Sequence, residues 1–303
     1  MNVLEVKGLY KTLGKSEIIQ GIDFSVKEGE IFGFLGPNGA GKTTTIRMLV
    51  GLIHPTKGSI SIMGNDLSNN REKALEQVGA VVENPELYTY LSGRENLMQI
   101  ARIRGICKKE VDEIIETIGL KEKIDLKVKR YSLGMKQRLG LGAALISNPK
   151  LLILDEPTNG LDPSGILDFR EIVRTAARKR GTAVFISSHI LSEVQELCDT
   201  VAFIKKGQIQ SIESLIENEE EQNNITLVIH SKDKEKCKDV LKKIEDVQDI
   251  KEDKELINVV VDMKKVSSII KLLVNNEVEL LEFYIKHKGV EQRYMELVEG
   301  GER

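Results

Sequence analysis

Several residue types that mark common classes of protein are scarce or missing in this sequence. There is no tryptophan, aromatic residues make up 4% of the chain, and only three cysteines occur among 303 residues. Cys107, Cys198 and Cys237 are far apart, and none belongs to a C-x-x-C pair. The sequence therefore indicates neither a disulfide framework nor a zinc site, and we expect a reducing, cytoplasmic compartment.

Long apolar runs and an excess of charge of one sign are also missing. No segment approaches the roughly 18–20 apolar residues that a membrane-spanning helix needs, and MNVLEVKGLY at the start does not resemble a signal peptide. We therefore expect no transmembrane path within this chain. The 44 basic and 47 acidic side chains give a net charge of −3, which provides no general attraction for nucleic acid. We expect no nucleic-acid partner, and any bound polyanion requires a local site.

Short β-branched runs alternate with helix-like segments up to about Ser211. This alternation predicts an α/β domain with a largely parallel sheet. The runs that predict buried strands are IFGFLG, VGAVVE, LLILD, AVFIS and TVAFIK. Between Leu91 and Ser147 the strand pattern is replaced by helical periodicity, as at Val111, Ile114 and Ile118. We therefore predict a helical subdomain at about residues 91–147.

A charged and polar segment separates this domain from the rest of the chain. The string ENEEEQNN, residues 217–224, has no bulky apolar side chain and is typical of a solvated linker. We predict one domain at residues 1–216 and a second at 225–303. The runs ITLVIH, INVVVD and VELLEFYIK, with helix-like stretches between them, predict a small α+β, ferredoxin-like domain with β-α-β-β-α-β order. A terminal helix is expected near Tyr294.

The segment GPNGAGKTT matches the pattern G-x-x-x-x-G-K-[ST] and lies between a predicted strand and a predicted helix. Its glycines allow successive backbone amides to face inward, and the start of the helix adds partial positive charge, an arrangement that suits phosphate. Lys42 is expected to reach the β- and γ-phosphates, Thr43 to bind Mg²⁺, and Thr44 to donate to phosphate. The candidate residues are Gly36, Pro37, Asn38, Gly39, Ala40, Gly41, Lys42, Thr43 and Thr44. The alternative is a glycine-rich turn that ends in Lys-Thr by coincidence.

Two carboxylates end the buried run in LLILDEPTNGLD. The carboxyl end of a strand in a doubly wound sheet is where an Mg²⁺-directed acid is expected, which makes Asp155 a metal candidate acting through water. Glu156 follows at once and can polarise a water that attacks the γ-phosphorus, so we predict it to be the general base. The alternative is that both residues only begin a turn before Pro157.

Taken together, these motifs resemble those of ATP-binding-cassette ATPases. The matching segments are Gly36–Thr44, YSLGMKQR from Tyr131, LLILDEPTNGLD and the SSH that ends at His189, which correspond to the phosphate loop, signature, acidic strand with D-loop, and switch histidine. The resemblance covers about Val3 to Ser211. The tail resembles the accessory domain of bacitracin-type and other antibiotic-exporter cassettes. The fold implied is a P-loop NTPase cassette with a helical subdomain.

The resemblance implies particular ligands, partners and residue roles. ATP and Mg²⁺ are the expected cofactors, and Ser132 and Gly134 are expected to contact the γ-phosphate held by a second copy. Asp162 is expected to cross that dimer interface, and His189 to bond to the γ-phosphate and take part in catalysis. Helix capping by Ser132 is compatible with its role, whereas a structural role for His189 is an alternative.

The family also implies a place in the cell and a partner. We expect a cytoplasmic subunit, peripheral on the inner face of the membrane, that powers integral membrane permease subunits. The expected function is export of a drug, a bacitracin-like antibiotic or an antimicrobial peptide. The alternative is a soluble cassette that acts on a non-membrane partner. Against it, the chain lacks the two cassettes of ribosome-directed relatives and the long coiled coils of DNA-repair relatives.

Three positions depart from the family pattern. Glu83 stands where most relatives carry a glutamine that touches Mg²⁺, and as a carboxylate it is a metal candidate that is expected to tighten metal binding or to change how hydrolysis is coupled to the membrane partner. The alternative is a tolerated substitution with an unchanged mechanism. Leu13 aligns with the aromatic ring that stacks on adenine, and Tyr10 lies three residues earlier. Either Tyr10 supplies the stacking from a shifted loop or affinity rests on phosphate contacts. Leu133 replaces a glycine of the signature but leaves its neighbours Ser132 and Gly134 in place.

Overall fold

The structure is a computed structural model that describes residues 1–215, 224–242, 249–253, 256–262 and 265–286. The chain divides into two compact units, Met1–Leu215 and Ile216–Arg303. Seven of the eight residues of the expected linker, and the terminal helix expected near Tyr294, lie outside the described residues. Within the described residues, no helix combines the length and the apolar character needed to cross a bilayer.

The first unit is built on two sheets. Its strands are β1 (Asn2–Leu13), β2 (Ser16–Lys27), β3 (Ile31–Leu35), β4 (Lys57–Ile62), β5 (Asn65–Asp66), β6 (Val78–Val81), β7 (Leu151–Asp155), β8 (Ala183–Ser188), β9 (Thr200–Lys205) and β10 (Gln208–Ser214). One sheet is antiparallel with the order β2-β1-β4-β5. The other has the order β10-β9-β3-β8-β7-β6, in which only the pairing of β10 with β9 is antiparallel. The predicted α/β class with a largely parallel sheet is therefore confirmed.

Seven α-helices accompany these sheets in the first unit, all of whose residues are described. They are α1 (Lys42–Leu49), α2 (Arg71–Glu76), α3 (Gly93–Arg104), α4 (Lys108–Thr117), α5 (Leu133–Leu145), α6 (Pro163–Arg180) and α7 (Leu191–Leu197), with a short 3₁₀ helix at Val128–Arg130. Helices α3, α4 and α5 lie where the helical subdomain was expected. They bury the periodic residues Val111, Ile114 and Ile118, and α3 begins with a capping box formed by Ser92 and Glu95.

A phenylalanine cluster joins the two sheets of the first unit. The ring of Phe24 on β2 lies 5.4 Å from that of Phe32 and 5.5 Å from that of Phe185, measured between centroids. Phe34 completes the cluster at 5.3 Å from Phe185. Such ring pairs contribute about 0.5–1.5 kcal/mol each beyond their burial. Four of the seven phenylalanines of the chain thus pack where the antiparallel and parallel sheets meet.

Strands β3, β7 and β8 are buried along their whole length. This is expected of parallel strands that are covered on both faces, and it explains why they appear in the sequence as continuous apolar runs. Because the three strands are neighbours and parallel, their carboxyl ends meet at one edge of the sheet. The loops that follow them are therefore brought together.

The second unit contains a four-stranded antiparallel sheet and two helices among its described residues. The elements are β11 (Asn224–Ser231), α8 (Lys234–Leu241), β12 (Asp249–Asp253), β13 (Leu256–Asp262), α9 (Val266–Asn275) and β14 (Leu280–Lys286). The strand order is β12-β13-β11-β14. Strand β13 lies between β11 and β12 and is antiparallel to both, which is the split βαβ arrangement of the ferredoxin-like fold. The fold class predicted for this part is confirmed.

Candidate functional site

The loops after β3, β7 and β8 form the candidate site. The first loop, residues 36–41, contains the predicted phosphate-binding residues and leads into α1. The second begins with Glu156, and the third carries His189. Each loop begins where a fully buried strand ends, so the rigid core of the sheet fixes the position of its first residue.

Glycine is required at two positions of the first loop. A Cβ added at Gly36 would lie 2.2 Å from the carbonyl oxygen of Ile204, which leaves no room for a side chain. Gly41, immediately before α1, has a φ of +109°, a conformation that L side chains rarely adopt. No side chain among the described residues caps the start of α1. Its first amides are therefore available to an anion, as a phosphate loop requires.

Lys42 begins α1 and is folded back over the loop. Lys42 is only 5% exposed, and its Nζ donates to the carbonyl oxygens of Gly36 at 2.8 Å and Pro37 at 3.2 Å. The same Nζ lies 3.1 Å from the Oε1 of Glu156. This lysine therefore joins the first loop to the second, and its ammonium group lies among oxygen atoms.

Asp155 is the last residue of β7 and is 3% exposed. It pairs with Ser187 on β8, whose hydroxyl donates to Asp155 Oδ1 at 2.7 Å. Burial raises the pKa of Asp155 above its ordinary value, and the charges of Glu156 and Glu83 add to the rise. Hydrogen bonds from Ser187 and Thr43 oppose it. The site thus holds a buried carboxylate whose ionised form a nearby cation would stabilise.

Glu156 is held by three of its neighbours. Its Oε2 accepts a hydrogen bond from Asn159 Nδ2 at 2.7 Å and lies 3.1 Å from Nδ1 of His189, while its Oε1 faces Lys42. The backbone of Glu156 has a φ of +44°, and its N–H donates to the Ser187 hydroxyl at 2.9 Å. Non-glycine residues in this left-handed region cost about 1–3 kcal/mol and are concentrated at functional sites.

The electrostatic surroundings of Glu156 favour its ionised form. Burial alone would raise the pKa of Glu156, but hydrogen bonds from Asn159 and Lys42 and the charges of Lys42 and His189 outweigh that effect. The pKa therefore lies below its ordinary value. An ionised carboxylate at this position can accept a proton from water once the lysine has another partner.

Glu83 lies in the loop after β6 and forms an ion pair with Arg47 at the end of α1. Its side chain is half exposed, and its backbone has a φ of +61°. Although its charge contributes to the raised pKa of Asp155, its carboxylate is engaged by the arginine rather than by a residue of the phosphate loop.

Glu83 and Arg47 also line an open groove with a volume of about 590 Å³. Other residues along it include Leu52, Pro85, Glu86, Leu87, Ile100, Arg104 and Gly140. At Gly140 an added Cβ would lie 2.4 Å from Pro85, so helix α5 closely approaches the loop that contains Glu83.

The signature and D-loop residues serve as helix caps. Ser132 directly precedes α5, and its hydroxyl accepts from the Met135 amide at 3.3 Å. Asp162 directly precedes α6, and its carboxylate accepts from the Gly165 amide at 3.2 Å. The two segments touch within the chain, because the position of a Cβ on Gly160 lies 3.0 Å from the side chain of Leu133. Gly134 has open space beside it, the nearest atom being 3.8 Å from an added Cβ.

The two candidates for stacking on adenine differ in their surroundings. Tyr10 lies against Gly21 on the neighbouring strand, where an added Cβ would be 2.5 Å from the tyrosine hydroxyl. The ammonium group of Lys57 lies 6.0 Å from the centre of the Tyr10 ring. Leu13, at the end of β1, is 49% exposed. The tyrosine thus packs within the sheet and is 39% exposed, whereas the leucine is the more exposed of the two.

Comparison with known proteins decides the family of the chain. A family model described as ABC transporter matches residues 19–159. An uncharacterized ABC transporter ATP-binding protein of Bacillus subtilis (strain 168), YhcH, is 43% identical over 296 residues, which cover 97% of this chain and 95% of the relative. The chain belongs to the ABC transporter ATP-binding proteins. It is therefore an ATP-binding and ATP-hydrolysing subunit, and the predicted activity is confirmed.

Two further similarities extend the comparison. The bacitracin transport ATP-binding protein BcrA of Bacillus licheniformis is 39% identical over 301 residues, covering 99% of this cassette protein and 98% of BcrA. A solved structure of an ATP-binding subunit of an ABC transporter is 31% identical with a TM-score of 0.64, covering 70% of this chain and 90% of that one. The resemblance to the antibiotic-exporter branch is thus confirmed.

The cassette site contains residues that sequence motifs did not reveal. Ser187 bonds to Asp155 and to the Glu156 amide, Asn159 bonds to the Glu156 carboxylate, and Arg47 pairs with Glu83. Glu193 on α7 accepts from Thr158 in the loop after β7 and from Ser188 at the end of β8. Asn159 and Ser187 lie next to or inside segments that were already singled out. No pattern in the sequence indicates Glu193, because its partners come together only in the folded sheet.

The cassette offers a suitable environment for Mg²⁺. No group of three metal-ligating side chains occurs among the described residues, so a site made of protein alone is not indicated. Mg²⁺ commonly uses one or two carboxylates together with phosphate oxygens and water, and the buried Asp155 beside the Thr43 hydroxyl fits that pattern.

Proposed function

We propose that two copies of this chain bind two ATP molecules between them and hydrolyse them to drive a separate membrane permease. The convergence of Lys42, Asp155, Glu156 and His189 at the ends of three adjacent strands carries this proposal. It brings together a cation for phosphate, a carboxylate for the metal, a base and a γ-phosphate donor.

Thr43, Asp155 and Glu83 are proposed to hold Mg²⁺, with Asp155 acting through water. Bound there, the metal would neutralise charge on the β- and γ-phosphates. The buried carboxylate of Asp155 would be stabilised in its ionised form by that cation. For Glu83 to take part, its carboxylate must leave Arg47, so its contribution depends on that ion pair.

Glu156 is proposed as the general base, and His189 as a γ-phosphate donor. Lys42 faces Glu156 in the structure described, and it is expected to turn to the phosphates when ATP binds. This exchange removes a charge that lowers the pKa of Glu156. The carboxylate then becomes more basic in the complex in which water must be activated. Asn159 and His189 hold it in place.

A second copy is proposed to complete each site. Ser132 and Gly134 stand at the start of α5, where a helix terminus favours a γ-phosphate held by the partner copy. Leu133 is 44% exposed beside them and can lie at the interface. Asp162 at the start of α6 is proposed to reach the opposing site. Contact between Leu133 and the D-loop supports joint movement of these two segments.

ATP is proposed to be held mainly by its phosphates. The exposed Leu13 can cover the base with an aliphatic side chain, but it cannot stack as an aromatic ring does. Tyr10 is held against Gly21 and is not proposed to contact the base.

An integral membrane permease is proposed to dock in the groove that Glu83 lines. The groove combines apolar walls with arginine and glutamate side chains, which suits a short amphipathic segment of a partner. Tyr88 and Tyr90, 54% and 65% exposed, follow the lining residues Glu86 and Leu87 in the chain. Exposed aromatic residues are frequent in protein interfaces. The docking segment is proposed to lie near residues 86–94, which would place the chain on the inner face of the cell membrane.

Peptide antibiotics are the proposed cargo. The similarity to a bacitracin transport ATP-binding protein extends over nearly the full length of both chains and includes the second unit. We therefore propose export of a bacitracin-like antibiotic or a related antimicrobial peptide, which would protect the cell.

Co-purification from membranes tests this function. The tagged chain is expected to recover a polytopic membrane protein, and bacitracin or a lantibiotic is expected to stimulate the ATPase of the complex. A Glu156→Gln variant is the control and should bind ATP without turnover. Recovery of only soluble partners would reject the permease, and full turnover by the Glu156→Gln variant would reject the proposed base.

A further inference from the structure

Helix α7 contributes a carboxylate that joins the loop after β7 to the end of β8, where the loop that carries His189 begins. Oε2 of Glu193 accepts a hydrogen bond from the Thr158 hydroxyl at 2.7 Å and another from the Ser188 hydroxyl at 3.1 Å. Thr158 belongs to the loop after β7, and Ser188 ends β8. One oxygen atom of Glu193 therefore binds segments that are 30 residues apart in the chain.

Each of the two hydroxyl residues directly precedes a residue that touches Glu156. Thr158 is followed by Asn159, whose amide donates to Glu156 Oε2. Ser188 is followed by His189, whose Nδ1 lies 3.1 Å from the same Oε2. Holding Thr158 and Ser188 together thus fixes both groups that orient this oxygen of Glu156.

The burial of these groups makes the contacts strong. Thr158 is 6% exposed and Ser188 is 4% exposed, so neither hydroxyl can readily turn to bulk water. Hydrogen bonds to an ionised acceptor are roughly twice as strong as those between neutral groups. Loss of the carboxylate would leave the buried Thr158 hydroxyl without the partner it has here, which is a costly change.

Stabilisation of helix α7 does not account for this arrangement. Glu193 lies in the first turn of α7, where an acidic residue favours the helix dipole. A carboxylate with that purpose alone can remain in solvent or bond to the helix's own amides. The carboxylate of Glu193 instead bonds to two side chains outside the helix.

We propose that Glu193 is a positioning residue for ATP hydrolysis, which acts by clamping Thr158, in the loop after β7, to Ser188, at the end of β8, so that Asn159 and His189 hold Glu156 in place. The inference depends on the proposed role of Glu156 as the base. It predicts a larger defect in turnover than in nucleotide binding, because the carboxylate of Glu193 bonds to Thr158 and Ser188 and not to a residue of the phosphate loop.

Three variants at this position test the proposal. Glu193→Met removes both hydrogen bonds and is expected to lower kcat about ten-fold or more, because small displacements of catalytic groups reduce rates strongly. Glu193→Gln keeps an oxygen acceptor of the same size and is expected to retain most of the rate. Thr158→Val removes one donor and should have an intermediate effect. The affinity for a non-hydrolysable ATP analogue, measured by calorimetry, should change much less than kcat in all three.

Glu196→Met is the matched control. Glu196 lies on the same helix and also accepts from a buried side chain, that of Arg170, but it has no contact with Thr158 or Ser188 among the described residues. The control should lose stability and keep its kcat, which separates a loss of folding from a loss of positioning.

The combined variant Thr158→Val with Glu193→Met gives a further check. If the clamp acts as a unit, kcat of the combined variant should be close to that of Glu193→Met alone. Parent-like kcat in Glu193→Met would overturn the proposal, as would an equal loss in the Glu196→Met control. If instead Glu156→Gln proved fully active, the proposed base would fail independently of these measurements. Should Glu193→Met not fold, Thr158→Val and Ser188→Ala carry the test, and parent-like kcat in both would reject it.

Discussion

Lys42 and Glu156 form an ion pair at the centre of the site, with the lysine Nζ 3.1 Å from the glutamate Oε1. The two residues come from separate motifs, the phosphate loop and the acidic strand. Their contact means that the proposed base is restrained by the same cation that ATP requires. When ATP binds to Lys42, the lysine is therefore expected to leave Glu156, so that nucleotide binding also frees the proposed base.

The Lys42→Met variant tests this relationship through stability as well as activity. Removing the lysine leaves Glu156 without its cation, and we expect the nucleotide-free protein to lose about 1–3 kcal/mol of unfolding free energy, with ATPase activity abolished. The additional change Glu156→Gln should restore part of the stability, because a neutral amide needs no cation. Denaturant titration of the two variants measures this difference. Equal stability of the Lys42→Met single and double variants would show that the pair is not coupled.

Much of this site could be predicted because its residues follow recognisable apolar runs. Asp155 ends LLILD, Glu156 follows it, and His189 ends AVFISSH, so the parallel sheet that those runs predict brings them to one edge. The side chains that hold Glu156 could not be predicted in the same way. Asn159 is close to Glu156 in the chain, but no sequence motif distinguishes its position. Glu193 meets Thr158 across 35 residues, a contact that depends on strand pairing rather than on any local pattern.

The second unit illustrates another limit of predicting strands from the pattern of apolar residues. Its fold could be predicted because β11 and β13 contain alternating apolar residues that face the helices, such as Leu227, Ile229 and Ile257. Strand β12 has the sequence DIKED and lies at the edge of the sheet. Charged residues are common on edge strands, where they discourage pairing with other chains. Such a strand is not visible as an apolar run, and only its place in the topology reveals it.

Asp155→Asn should stabilise the nucleotide-free protein at neutral pH. The pKa of Asp155 is raised by burial, so its ionised form opposes folding at every pH above the folded-state pKa. Between the ordinary pKa of an aspartate and that raised value, the folded state binds more protons than the unfolded state, and stability therefore falls as the pH rises. The parent Tm should thus lie below that of Asp155→Asn near pH 7.

The difference in Tm between the parent and Asp155→Asn should shrink as the pH is lowered towards the ordinary pKa of an aspartate. Thermal unfolding followed by circular dichroism from pH 7 to mildly acidic pH measures it, at a scale of about 2–4 °C per kcal/mol for a domain of this size. Ser187→Ala provides a contrast, since it removes a hydrogen bond to Asp155 without removing the charge. A Tm difference that did not depend on pH would contradict the assignment of the effect to Asp155 ionisation.

Leu13→Tyr should raise the affinity for ATP. Leu13 is exposed at the end of β1, and stacking of a base on an aromatic ring contributes about 1–3 kcal/mol, whereas an aliphatic side chain provides less. Calorimetric titration with a non-hydrolysable ATP analogue should therefore give a several-fold lower Kd. Tyr10→Leu is the matched control and should leave Kd nearly unchanged, because Tyr10 packs against Gly21. If Tyr10→Leu weakened binding and Leu13→Tyr did not strengthen it, Tyr10 would be the stacking residue.

Glu83→Gln should weaken the dependence of nucleotide binding on Mg²⁺, and Arg47 sets how much. In the structure Arg47 pairs with Glu83, so the metal must compete with the arginine for this carboxylate. Arg47→Met removes the competitor, and we expect a lower Mg²⁺ concentration to be sufficient for binding of the ATP analogue. The shift should be modest, about two- to five-fold, since exposed ion pairs contribute little. In the Glu83→Gln background the same change at Arg47 should have almost no effect.

Arg104→Met, a change at another arginine of the groove, controls for loss of charge alone. An equal effect of Arg47→Met in both backgrounds would mean that the arginine acts through its general field rather than through Glu83.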